Sequence, residues 1–335
     1  MKSLRKNKIL YIYGVAFAMF FLSAFLGVLF GSTKLNLWSA LSSVVNGNMN
    51  SPDARILLYV RLPRMLGGLI CGMALAVSGA VIQGVLANRL ASPSIVGVNA
   101  GAGLAVTLCS AFGIIGGWQL SLFSFIGAFI TVMLVSIGAT KWGASRGTVI
   151  LMGVAMSAFF GAISDTVTTF IPEVSVMSND FKIGDFSAVT YTKVIPATLL
   201  IVISVFVLIT LSNELDVLTL GDENAKGLGL NTDVMRVVFL LLSALLAGAA
   251  VSVCGLLSFV GLLVPHAVRR VATTESKHLI PLCALFGAGF VSLCDTFARV
   301  VFAPYELPVG IIMAFLGAPF FIFILIKGKG GQGDA

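Results

Sequence analysis

The side chains that most often carry out covalent or metal chemistry are isolated from one another in this sequence. All five cysteines lie in apolar stretches, and none forms a Cys-x-x-Cys pair or a Cys/His cluster. His266 and His278 each stand alone, so no H-E-x-x-H zinc motif is present. The sequence also contains no G-x-x-x-x-G-K-[ST] phosphate loop and no G-x-S-x-G nucleophile elbow. We therefore expect that this chain holds no catalytic site, no metal and no cofactor of its own.

A few charged residues have a spacing that suits recognition of a partner. Arg61 and Arg64 are three residues apart, and Asp295 precedes Arg299 by four, so each pair shares one face of a helix. Guanidinium groups form bidentate, charge-assisted hydrogen bonds with carboxylates. Long arginine side chains in a membrane protein also extend to lipid phosphates. Residue type alone leaves both interpretations open.

A second group of charges lies in the segment 214–236. Its pattern predicts two short amphipathic helices, with a break at Gly221, a cap at Asp222, and an end at Gly227 or Gly229. Leu215, Leu218 and Leu220 are expected to share one helical face. Such a segment is either a compact docking knob for a partner protein or a solvated interfacial loop. The residues that define it are Leu215, Leu218, Leu220, Gly221, Asp222, Glu223 and Gly227.

The composition indicates which elements must position these residues. Hydrophobic residues make up 58% of the 335 residues and charged residues only 10%, whereas soluble domains average roughly 45–50% and about 25%. Mean hydropathy is +1.04. These values exclude a soluble enzyme, a disordered chain and a secreted disulfide scaffold, and they indicate a polytopic membrane protein. The net charge of +7 comes without a basic run interleaved with aromatics, so we expect no nucleic-acid partner.

The uncharged runs predict an all-α protein that forms a single membrane domain over residues 1–335. A spanning helix needs about 20 mainly apolar residues, and the runs provide nine segments of roughly that length and one shorter helix, which makes ten. The N-terminal run is too long for a cleaved signal peptide, so it is expected to be the first span. The predicted spans lie within 9–33, 65–88, 90–140 (two), 147–171, 194–213, 234–254, 260–268, 279–302 and 307–326.

Charge distribution predicts both the orientation and the source of energy. With an even number of spans and a cytoplasmic N-terminus, fourteen basic residues lie inside and seven outside, which places both termini in the cytoplasm. Asp165 is the one carboxylate expected near the middle of a span, and ion-coupled transporters usually need more buried carboxylates. This scarcity indicates that the energy for transport comes from elsewhere.

Glycine pairs 68/72, 97/101 and 113/117 have the spacing that lets helices pack closely.

Several longer motifs together resemble one family of membrane proteins. The matching segments are distributed over nearly the whole chain after the first helix. They occur in the order 61–64, 78–84, 88–93, 97–102, 218–223, 259–266, 306–310 and 317–321. In this pattern the sequence resembles the FecCD-type permeases of iron–siderophore and cobalamin ABC importers. The resemblance implies the type II importer fold in the cell (inner) membrane, with ten helices per subunit.

The resemblance also implies partners and a ligand. A second permease subunit, identical or paralogous, would complete the pathway, two ATPase subunits would bind ATP and magnesium, and an extracytoplasmic binding protein would deliver the ligand. That ligand is expected to be a ferric siderophore, with haem or cobalamin as the alternative. An ion-coupled secondary transporter is the alternative of another class.

Roles for individual residues follow from the same resemblance. Arg61, Arg64 and Arg299 would dock the binding protein, and the loop 214–233 would insert into the ATPase and couple its closure to the membrane helices. Candidates for the translocation path are Met152, Met156, Ser164 and Thr168, with ordinary helix packing as the alternative. Candidates for a cytoplasmic gate are Ser145, Arg146, Gly147 and Thr148.

Overall fold

A computed structural model describes residues 2–33, 35–114, 116–141 and 146–329, with side chains from residue 7 to 322 apart from 140 and 141. Helices account for nearly all of this part of the chain, and it contains no strand. A π-helical turn at Leu57–Arg61 and a 3-10 helix at Pro93–Val96 interrupt the α-helices. The α-helices are α1 (Lys2–Leu29), α2 (Leu37–Val45), α3 (Pro52–Ile56), α4 (Leu62–Val85), α5 (Val98–Ala111), α6 (Gly117–Lys141), α7 (Arg146–Phe170), α8 (Val174–Ile183), α9 (Tyr191–Thr210), α10 (Ser212–Thr219), α11 (Asp222–Gly227), α12 (Thr232–Cys254), α13 (Val260–Val271), α14 (Ser276–Val300) and α15 (Val309–Lys329).

The all-α prediction is confirmed, and each of the ten predicted spans coincides with a helix. Seven helical segments in the described part of the chain are long and apolar enough to cross a membrane: α1, α3–α4, α6, α7, α9, α12 and α14. The other three predicted spans correspond to α5, α13 and α15. Two of these are short apolar helices, and the third, α13, has only 12 residues. These shorter elements start or end next to non-helical backbone.

The most buried helix is α4, which α12, α13 and α14 surround. Small residues make this possible, because a Cβ on Gly72 would lie 2.2 Å from the carbonyl oxygen of Gly287. A Cβ on Gly79 would lie 2.0 Å from the carbonyl oxygen of Gly261, so backbones touch there as well. Only glycine fits at such contacts, and they bring the framework helices into direct backbone contact.

The predicted glycine pairs have different outcomes. Gly68 and Gly72 pack on α14, and Gly101 packs on Gly127 of α6, so two pairs lie at helix contacts as predicted. The prediction for Gly113 and Gly117 is wrong. Both have positive φ and no side-chain or backbone atom within 4 Å of a Cβ position. They form the turn between α5 and α6.

Contacts between α1 and α14 show that the two helices run in the same direction. Tyr13 lies beside His278 near the start of each helix, and the Ser292 hydroxyl donates to the carbonyl oxygen of Ser23 further along. The carboxylate of Asp216 in α10 binds Ser276 at the start of α14. We call this end of the molecule the knob end, and the other end, where α1 and α14 finish and α4 and α15 start, the far end.

Candidate functional site

Helices α10 and α11 form the compact knob that the sequence predicts. Leu215 and Leu218 are buried, and the side chain of Leu215 packs on Gly84 near the end of α4. Leu220 does not share their face, contrary to expectation, and is 57% exposed. The reason is that Leu220 lies five residues after Leu215, which puts it about 140° further around a helix of 3.6 residues per turn.

The second knob helix begins and ends at well-defined residues. Asp222 is the first residue of α11 and does not cap it as predicted, because its carboxylate accepts two hydrogen bonds of 2.8 Å from Arg236. Gly229 has a φ of +87°, and the N–H of Leu230 donates to the carbonyl oxygen of Ala225 over 3.0 Å. This is the glycine-dependent helix termination that the sequence predicts at Gly227 or Gly229.

Ion pairs and hydrogen bonds join the knob to three long helices. The Arg146 guanidinium at the start of α7 donates to the carbonyl oxygen of Leu218 over 3.0 Å and lies 3.6 Å from the Asp222 carboxylate. A cation at a helix N-terminus is unfavourable against the helix dipole, so these two acceptors offset a real cost. Asp216 instead gives the start of α14 the negative charge that a helix N-terminus favours. Arg236 supplies the link to α12.

The other predicted gate residues are Ser145, Gly147 and Thr148. Ser145 lies outside the described residues. Gly147 is exposed and Thr148 is half-buried in the first turn of α7. The contacts of Arg146 described above join the start of α7 to the knob.

At the far end, charged side chains form a buried cluster around Arg64. Its guanidinium lies 3.0 Å from the Asp295 carboxylate and 2.6 Å from that of Glu306, and 3.7 Å from that of Asp185. Arg299 pairs with the same Asp295 over 3.2 Å. The cluster therefore joins α4, α14, the segment before α15 and the segment after α8.

Arg61 completes this far-end cluster by binding backbone. Its guanidinium donates to the carbonyl oxygens of Val28, Leu29 and Thr33 over 2.5–2.6 Å. Helix α1 ends at Leu29, so the arginine satisfies carbonyls that have no partner within the helix.

Arg64 and Arg299 thus find carboxylate partners within the chain itself, whereas Arg61 binds backbone carbonyl oxygens. Arg61, Arg64 and Arg299 are only 3–4% exposed. The prediction that they contact carboxylates of a docked protein stays a prediction, but in this structure their donors are engaged internally. The acidic members, Asp185 and Glu306, are the more accessible part of the far-end cluster, with 28% and 29% side-chain exposure.

Helix α7 carries the predicted path residues on its inward side. Met152 and Met156 pack against the core, Ser164 is buried, and the Thr168 hydroxyl donates to the carbonyl oxygen of Ser164 over 3.1 Å. The exposed face of α7 has a different set of side chains, many of them small or polar. This face includes Val154, Ala155, Ala158, Ala162, Asp165, Thr166 and Thr169.

The structure contains two cavities with polar lining residues that the sequence did not predict. One, of about 390 Å³, lies at the far end and is lined by Asp180, Asp185, Lys193 and Ser252, among others. The second, of about 200 Å³, lies halfway along α4 and is lined by residues that include Ser94, Asn99 and Ser258.

Non-helical backbone separates the two cavities. Gly255 lines the far-end cavity, and Ser258 and Phe259 line the mid-depth one. On the other side of the mid-depth cavity is the 3-10 helix, which packs on Gly153 of α7. Irregular backbone at membrane depth is tolerated where protein buries it or where it lines a cavity. In the sequence, Pro93 and Gly255 were the available signals of this irregular backbone, because both residue types break helices.

No three His, Cys, Asp or Glu side chains among the described residues are grouped so that they could hold a metal ion.

Comparison with known proteins identifies relatives over almost the full length. The family model described as the FecCD transport family matches residues 18–327. The Fe(3+)-citrate import system permease protein YfmD of Bacillus subtilis is 33% identical, over 97% of both chains. The hemin transport system permease protein HmuU of Yersinia pestis is also 33% identical, over 89% of this chain and 91% of its own.

A solved structure has the same fold. It is described as an inward-facing conformation of a metal-chelate type ABC transporter, and it superposes with a TM-score of 0.81 at 27% identity. The match covers 95% of this chain and 99% of that chain.

The far-end cluster predicts a large effect for one isosteric substitution. Asp295→Asn leaves Arg64 and Arg299 as neighbouring buried cations without their shared anion, and this should cost about 3–5 kcal/mol of stability. Thermal unfolding of the purified protein in detergent measures the change. Asp165→Asn is the matched control, because Asp165 lies on the exposed face of α7. Equal melting temperatures for the two variants would contradict the structural role of the far-end cluster.

Glu306 predicts a pH dependence. Burial raises the pKa of Glu306, but the Ser32 hydrogen bond and the charges of Arg64 and Arg299 outweigh burial and set this pKa below its ordinary value. Ionised Glu306 therefore stabilises the folded protein above the unfolded pKa of about 4.3, and this contribution is lost as pH falls through the lower folded pKa. The melting temperature of Glu306→Gln should fall below that of the wild type at pH 6 and converge with it in acid. A constant difference at every pH would show that the charge of Glu306 does not matter.

Proposed function

The chain belongs to the FecCD transport family, and from this premise we propose that it is the permease subunit of a binding-protein-dependent ABC importer that carries a ferric siderophore into the cytoplasm. Membership makes it a membrane-spanning transport component for iron complexes. The observation that supports a ferric siderophore as the ligand is the 33% identity, over 97% of both chains, to an iron(III)-citrate permease. In this proposal ATP hydrolysis takes place in separate subunits, and this chain makes and breaks no covalent bond.

The relatives support a chelated metal as the ligand. One is a permease for iron(III) citrate, and the similar structure is of a metal-chelate type transporter. Haem is a second candidate, because a hemin permease is equally identical over a slightly shorter match. A ferric siderophore is preferred because iron(III) citrate, like a typical siderophore complex, holds iron(III) through oxygen donors, whereas haem holds its iron in a porphyrin ring.

The knob supports the proposed site for the ATPase. Its buried face, with Leu215 and Leu218, fixes it to the membrane helices, while Leu220, Glu223 and Leu228 are exposed. A rigid element whose exposed tip carries apolar and charged residues suits insertion into a cleft of another protein. With the knob in the cytoplasm, both termini are cytoplasmic as well, and the far end faces outward toward the binding protein.

Arg146 supports a route by which the knob would move the path. A displacement of α10 or α11 shifts Leu218 and Asp222, and Arg146 at the start of α7 must follow them or lose its acceptors. The 3-10 helix beside the mid-depth cavity packs on Gly153 of α7, so movement of α7 reaches that cavity. We place the ligand path along the exposed face of α7, between this chain and a second permease subunit, and not along the inward side that carries Met152, Met156, Ser164 and Thr168.

At the far end, docking of the binding protein would act through the far-end cluster. Its arginines hold the ends of α1 and α14 and the start of α4 in place, and Asp185 and Glu306 offer accessible charge beside them. Complementary charges on a binding protein would steer docking at this surface.

Uptake measurements test the proposed function. Cells that lack the gene should lose uptake of one labelled ferric siderophore and regain it on complementation, while labelled haem and cobalamin enter as before. Loss of haem or cobalamin uptake would keep the importer and replace the ligand. If uptake of all three is unchanged by deletion and unchanged by complementation, the proposed ligand class is wrong.

Charge reversal at the knob tests the ATPase contact. Glu223→Arg should reduce co-purification of the ATPase subunits by about tenfold or more, because like-charge placement at an interface costs several kcal/mol. The control is Glu173→Arg, at an exposed acid before α8 at the far end. Equal recovery of ATPase with the two variants would contradict the proposed role of the knob.

A further inference from the structure

A purely apolar crevice lies between α1, α13 and α14, away from the knob contacts and the two polar cavities. Its volume is about 340 Å³, which is within the range of small-ligand sites in proteins. Its lining includes Val15 and Met19 of α1, Val268 and Val271 of α13, and Phe286 and Phe290 of α14.

The crevice opens on a side of the molecule that is built to face lipid. Helix α1 is only 22% buried over its apolar window, and Phe17, Phe21 and Phe25 are each about half exposed or more. Val15 and Val271 of the crevice are themselves 43% and 56% exposed. A bilayer is therefore the medium from which an occupant enters.

Charged residues stand at the knob end of the crevice. Lys8 lies one helical turn before Ile12, which also lines the crevice, and Arg270 lies beside Val271 at the end of α13. Lys277 lies at the start of α14, and all three cations are exposed. The acids at this end of the crevice are Glu275, in the short connection between α13 and α14, and Asp216, which binds Ser276, so the three cations outnumber them.

An aromatic pair marks the depth at which this charged end lies. The Tyr13 hydroxyl is 3.4 Å from Nδ1 of His278, and their rings meet edge to face. Tyrosine with one apolar and one polar side is typical of the membrane–water interface. The surface is apolar along the crevice, aromatic at its knob-end edge, where Tyr13 follows Ile12, and cationic beyond that edge, as a lipid changes from acyl chain to headgroup.

We propose that this crevice is a binding site for an anionic phospholipid, with one acyl chain in the crevice and the phosphate headgroup beside Lys8, Arg270 and Lys277. Basic pockets between transmembrane helices bind anionic headgroups, and a lipid with an anionic headgroup matches both parts of the site. A bound lipid bridges α1 and α13, which line opposite sides of the crevice. The site is independent of the identity of the transported ligand.

Native mass spectrometry of the full-length protein, titrated with phosphatidylglycerol or phosphatidylcholine of identical acyl chains, tests the site. The wild-type protein should bind one molecule of phosphatidylglycerol in preference to phosphatidylcholine. Ala267→Phe places a ring in the crevice and should weaken the binding of both lipids by about tenfold. Its control is Ala18→Phe, at an exposed position of α1 outside the crevice lining.

A second variant changes charge and leaves the crevice intact. Replacing Lys8, Arg270 and Lys277 with Gln should abolish the preference for phosphatidylglycerol and leave phosphatidylcholine binding unchanged. Because these residues are exposed, the variant should fold, which gel filtration checks. The control replaces Arg55, Lys182 and Lys226, three exposed cations elsewhere, with Gln. If each test variant binds both lipids as its control does, the lipid is only part of the general annulus and the proposal is wrong.

Discussion

Charge taken into a membrane must find its partners inside the protein, because the hydrocarbon offers none. In this chain that constraint determines what happens at both ends of the long helices. At the far end, Asp295 is shared by two arginines, and a third arginine satisfies the last carbonyls of α1. At the knob end, Arg146 and Arg236 are held by the same aspartate, Asp222. The same groups that satisfy the buried charges therefore also tie the helix ends to one another.

Between the two ends, close backbone packing gives the centre little freedom to deform. Helix α4 meets α14 and α13 through glycines at which a methyl group would overlap a carbonyl oxygen. A framework of this kind moves as rigid pieces, and non-helical segments are where it can change shape. The segment 255–259 separates the two polar cavities, so a change there would open or close the connection between them.

The long apolar helices and the knob were predictable from sequence, because hydrophobic run length and glycine breaks are local signals. Helix α8 was not predicted, since its ten residues carry no strong periodic signal between α7 and α9. The partner of Arg64 could not be found from spacing, because Asp295 lies 231 residues away in the chain. The expectation that the arginines face another protein came from the family resemblance and not from their spacing. Leu220 was assigned to the wrong face because its five-residue spacing from Leu215 does not match the helical repeat of 3.6 residues.

In the proposed mechanism, the knob moves the ligand path through the contacts of Arg146. The most direct measurement is the number of ligand molecules transported per ATP hydrolysed in proteoliposomes that contain the complete complex. Arg146→Gln removes the charge that binds Leu218 and Asp222, while Arg55→Gln, exposed near the start of α4, serves as the control. We expect the Arg146→Gln complex to retain its bound ATPase subunits and ATP hydrolysis but to transport fewer ligand molecules per ATP. An unchanged ratio, equal to that of the Arg55→Gln control, would contradict the proposed mechanism.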